Sequence, residues 1–131
     1  MSLWRREASE RLPELQNIIA SRLVDSPMML WIELNIKFEK LSKSQPPPID
    51  LLRRIWRYCE WSLQHGSPEV QTAAALGFCE HLIQTPERAA LLPQIMSSAD
   101  YIGLRKLMEY HHSPAEVDEW SRKLWPKRIG R

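Results

Sequence analysis

The chain has 131 residues, 44% hydrophobic and 26% charged, and its 18 Lys and Arg against 16 Asp and Glu leave a net charge of only +2. That length suits one domain around one core, and the composition is that of a folded rather than a disordered chain. So small a net charge excludes a strong electrostatic pull toward nucleic acid or an anionic membrane, and no stretch approaches the roughly eighteen apolar residues of a membrane-spanning helix.

Taken in chain order, the pattern predicts helices over 3–12 and 13–24, either separate or one helix bent at Pro13, then over 27–43, 49–65, 68–84, 86–92, 98–112 and 114–125. Four of these begin at a hydroxyl followed by proline: Ser26-Pro27, Ser67-Pro68, Thr85-Pro86 and Ser113-Pro114. Proline suits the first helical position, where its missing N–H has no partner to lose, and the preceding hydroxyl can cap the first turn. Ser113 and Glu116 also have capping-box spacing. Ser44-Gln45-Pro46-Pro47-Pro48 forms a stiff loop too short to link domains. Successive helix-start prolines lie 41, 18 and 28 residues apart, which excludes a fixed repeat. The expected fold is all-α: residues 1–131 as one compact bundle of six to eight short helices, in irregular HEAT-like packing around a central helix 68–84.

Within helix 27–43, Leu30, Trp31, Leu34, Phe38 and Leu41 form one apolar stripe, and Met29, Ile32 and Ile36 form another nearly opposite. Such a helix is either sandwiched between two others or placed at an interface, including a homodimer face through Met29, Ile32 and Ile36. Along 49–65, Leu51, Leu52, Ile55, Trp56, Tyr58, Cys59, Ser62 and Leu63 share one arc, with Trp61 off it near Arg54 and Arg57, against a neighbouring helix or free for a partner. Ala73, Ala74, Ala75 and Gly77 permit close approach to helix 68–84, making it the expected hub. His81 and His111 fall on apolar arcs and read as structural histidines. The cysteines, Cys59 and Cys79, read as small buried hydrophobes. Basic residues gather at the ends, with Arg5, Arg6 and Arg11 at one and Arg122, Lys123, Lys127, Arg128 and Arg131 at the other, and read as solvated.

Catalytic signatures are sparse. Four glycines, at 66, 77, 103 and 130, exclude a P-loop and a dinucleotide fingerprint. Glu80 and His81, adjacent on a helix, stand about 100° apart and so should not aim at one ion. Glu109 and His112 form a single E-x-x-H pair without the second pair that a di-iron bundle requires. Nothing local forms a nucleophile elbow, and Trp56 and Tyr58 belong to the core arc rather than to a nucleic-acid face with Arg53, Arg54 and Arg57. No catalytic residue, metal or cofactor is expected. Trp4-Arg5-Arg6-Glu7 stands where a secretory leader would be apolar, so the expected compartment is the cytoplasm.

Residues 53–61, Arg-Arg-Ile-Trp-Arg-Tyr-Cys-Glu-Trp, and 69–82, Glu-Val-Gln-Thr-Ala-Ala-Ala-Leu-Gly-Phe-Cys-Glu-His-Leu, resemble a family of small, uncharacterised bacterial all-helical proteins. The resemblance includes Leu30–Leu34 and Tyr110-His111 before Ser113-Pro114, and so spans about residues 26–117. Some relatives in that family resemble immunity proteins of bacterial toxin systems. The matching polar and aromatic positions are Glu33, Arg54, Tyr58, Trp61, Glu80 and His81, which the resemblance implies as binding residues or as a buried network. The expected function is a non-enzymatic protein-binding module, of the toxin-immunity type, whose partner is another protein such as a toxin. The alternative is a small enzyme or ligand-binding protein with a site at Glu33, Glu80 and His81.

Overall fold

Proline and a capping hydroxyl start four helices where the sequence places them. Ser26 accepts from the Met29 amide at 3.1 Å, Ser67 from Val70 at 3.4 Å, Thr85 from Arg88 at 3.4 Å and Ser113 from Glu116 at 3.1 Å. Each hydroxyl satisfies one N–H of a first turn that has no intrahelical partner. The reciprocal capping box stands elsewhere, between Ser97 and Asp100. At Ser113 the Glu116 carboxylate turns instead to His112 Nδ1, 3.3 Å away.

The computed structural model describes residues 1–126, so the basic end at Lys127, Arg128 and Arg131 lies outside the described residues. Of the described residues 73% are helical and none is in a strand, as the all-α expectation requires. In order the helices are α1 (Leu3–Arg11), α2 (Gln16–Ile19), α3 (Pro27–Ser42), α4 (Ile49–His65), α5 (Pro68–Gly77), α6 (Pro86–Ala90), α7 (Leu92–Ile95), α8 (Ser98–Gly103), α9 (Arg105–Met108) and α10 (Pro114–Leu124). Single 3-10 turns fill Pro13–Leu15 and Cys79–His81.

The apolar arc read from α4 is the face it buries: Leu52, Ile55, Trp56, Tyr58, Cys59 and Ser62 are inside, while Arg53, Arg57 and Gln64 are exposed. On α3 the stripe Leu30, Trp31, Leu34 and Phe38 is buried. The other stripe is not sandwiched. Ile32 and Ile36 remain 40% and 53% exposed. α5 packs mainly on α3 and α4, through buried Val70, Ala73, Ala74 and Gly77, as expected of a hub.

The hub is nevertheless shorter than the predicted helix 68–84. It ends at Gly77, and Phe78 leaves the helical region at φ −134°, ψ −56°. Leaving the helix accompanies burial of the Phe78 ring, whose centroid lies 5.2 Å from Trp31 and 5.0 Å from Phe38, the latter edge-on. A fully buried aromatic of this kind contributes roughly 1.5–3 kcal/mol, comparable to or more than the few helical hydrogen bonds given up. The predicted helix 98–112 likewise divides, into α8, α9 and a turn that carries Tyr110 and His111 to the surface.

Candidate functional site

The six residues singled out from the sequence do not converge. Arg54 on α4 grips Glu14 through two guanidinium nitrogens, one of them at 2.8 Å. It also donates to Asp50 at 2.9 Å and to the Arg11 carbonyl at 3.0 Å. All of its visible partners belong to the fold. Tyr58 is buried, stacks on Trp31 with centroids 5.2 Å apart and donates its hydroxyl to the Trp4 carbonyl at 2.8 Å, tying α4 to α1. Burial pushes its phenol pKa well upward. Trp61 is half-buried and stacks on Tyr58, at 6.0 Å and 10°, rather than on an arginine.

Glu33, on α3, is not part of the cluster that Glu80 and His81 form with His111. It lines a shallow depression of about 160 Å³ with Ile18, Leu23, Val24 and Met29. Ile32 and Ile36 continue the apolar stripe beyond Met29 along α3, and Leu23 is 81% exposed. The residues expected as a dimer face thus form one partly open apolar strip with a carboxylate beside it.

Glu80 and His81 do come together, but with His111. The helix has ended before them, so the angular argument against a shared target no longer applies on the Cys79–His81 turn. Glu80 is 8% exposed, and its carboxylate meets His111 Nε2 at 2.7 Å. The two imidazoles stack, with centroids 5.0 Å apart and planes 22° from parallel. One donor atom from each of the three residues fits within 4.8 Å of the others. Burial, then the charges of His111 and Arg88, lower the His81 pKa, against the opposing pull of Glu80 and the Leu76 carbonyl. Histidine and glutamate are residue types that can ligate a metal ion.

His111 was the residue missed, because a continuous helix 98–112 put it on the core side. The Tyr110-His111 sequence was the available signal. Arg88 was missed as well. It is fully buried, donates to Asn35 Oδ1 at 2.6 Å and lies over the rings of Phe38 and Phe78, 4.7 and 5.2 Å from their centroids.

A depression of about 490 Å³ lies between α4 and the segment 93–100. Arg53, Arg57 and Glu60 from α4 line it together with Asp100 from the other side, so opposite charges offset one another. The histidine side chains that meet a charged partner meet carboxylates: His111 pairs with Glu80 and His112 with Glu116. This is not the serine or cysteine pairing that nucleophilic catalysis uses. No helix among the described residues is long and apolar enough to cross a membrane. No protein-family model, curated protein or solved structure matches the chain.

Proposed function

We propose that this chain is a non-enzymatic module that binds another protein through the outer face of α3. The observation that carries the reading is the strip Met29, Ile32 and Ile36, continued by Leu23, in which Leu23, Ile32 and Ile36 are exposed and Met29 is partly buried. Contiguous exposed apolar surface favours protein contact, and Glu33 beside it supplies a polar group to fix orientation. The resemblance over residues 26–117 extends this proposal to an immunity-type role, in which the partner is a toxin held inactive by being covered.

Capture from the source cell with the unaltered chain and with an Ile32→Asp/Ile36→Asp variant tests it. A partner retained by the first and lost by the second is the expected outcome. Retention by both, or capture of nothing by either, counts against the surface. Light scattering at micromolar concentration distinguishes self-association: a monomer mass removes the homodimer as occupant of the strip.

A further inference from the structure

Glu80, His81 and His111 lie outside the α3 surface, and their chemistry is different. Two neutral imidazoles with one carboxylate are a donor set that suits borderline divalent ions. Calcium and magnesium prefer all-oxygen ligands. The fold brings the donors from two places, Glu80 and His81 from the turn after α5 and His111 from the turn after α9, 31 residues from Glu80.

We propose that Glu80, His81 and His111 form a binding site for a divalent transition-metal ion of the zinc class. A tetrahedral ion with bonds of about 2.0–2.1 Å holds neighbouring donors about 3.3 Å apart. Glu80 and His111, at 2.7 Å, are already within that span. The widest separation, at most 4.8 Å, must close by about 1.5 Å to reach that spacing. His111 can move to close it, because its side chain is 46% exposed while that of Glu80 is only 11% exposed and fixed by the core. The buried carboxylate thus acts as the anchor and the surface imidazole as the arm.

The surroundings agree with such a site. The nearby cation, Arg88, has its own acceptor in Asn35 and faces Glu39 at 3.7 Å. Three protein ligands leave a fourth position for water or an incoming group on the exposed side. An ion here would pin the turn after α9 to the turn after α5, two segments already joined at this point by the Glu80–His111 pair and the stacked His81 and His111 rings.

Zinc titrated by calorimetry into the full chain, stripped of metal and of any affinity tag, tests the proposal near neutral pH. One ion per chain with micromolar or tighter affinity is expected, and cobalt should give the visible bands of a nitrogen and oxygen site. His111→Ala removes an exposed side chain and should weaken zinc binding at least about tenfold, the scale seen even for outer-contact losses. His65→Ala, at an exposed histidine near Trp61, should leave it unchanged. Millimolar or weaker binding by the unaltered chain, or equal affinity in His111→Ala, overturns the site. Circular dichroism without zinc confirms that His111→Ala is folded, so its affinity decides the matter even if Glu80→Gln does not fold.

Discussion

Gly77 lies so close to Trp31 that a β-carbon built on the glycine would stand 2.8 Å from the tryptophan's own β-carbon. Trp31 is fully buried and anchors the aromatic cluster with Tyr58 and Phe78, so it has nowhere to retreat. Gly77→Ala should therefore destabilise the fold by about 1–3 kcal/mol, the usual cost of overpacking, despite alanine's better helix propensity. Chemical denaturation measures it. A variant as stable as the parent would show that α3 and α5 can separate without loss.

The acid limb of stability should depend on Glu14 and Arg54. Hydrogen bonding to the Arg54 guanidinium is the largest influence holding the Glu14 carboxyl at about 2, below its ordinary value of 4.5. The unfolded chain therefore takes up this proton first as pH falls. The contribution is complete above about pH 4.5 and is lost as pH falls toward 2. Thermal melts of the parent and of Glu14→Gln across this window should start apart and converge at the acid end. A constant difference in melting temperature would contradict the assignment.

These two relationships mark how far the sequence was readable. The Ser/Thr-Pro starts are local devices, a hydroxyl and a ring acting within one turn, and all four are where periodicity placed them. The α4 arc was equally legible because one long helix has one phase. The end of α5 was not, because it accompanies the burial of Phe78 against Trp31 and Phe38, partners 40 or more residues away in the chain. The candidate site inherits that gap: Glu80 and His81 change direction when the helix stops, and His111 becomes exposed when helix 98–112 divides. Arg88 was illegible for the same reason, since the acceptors and rings that admit a buried cation come from α3 and the start of the turn after α5.

Cys59 and Cys79 face one another in the core with sulfurs 3.4 Å apart, and both are fully buried. Burial raises the Cys59 thiol well above its ordinary value, leaving little of the reactive thiolate. A thiol-specific disulfide reagent should react with essentially no cysteine in the native chain and with both after denaturation. Fast labelling of the folded chain would mean that the segment around Cys79 opens readily, which would weaken any site built on the adjoining Glu80.

Arg88 and Glu39 should respond unequally to loss of charge. Glu39 accepts from Thr85 at 2.9 Å and from Gln84 at 3.3 Å, and Lys43 lies 3.4 Å away, so it keeps polar partners when Arg88 is replaced. Arg88 has no such reserve: it is fully buried, with Asn35 as its neutral acceptor, and burial pushes its pKa down to about 10 against the support of Glu39. Glu39→Gln leaves a buried cation without its carboxylate and should cost about 3 kcal/mol. Arg88→Met removes the cation and fills much of the same space between Phe38 and Phe78, so it should cost less than half as much. Denaturant midpoints of the two variants check the order. If Arg88→Met proves the more damaging, the hydrogen bond to Asn35 and the contact with the two rings outweigh the desolvation of the guanidinium.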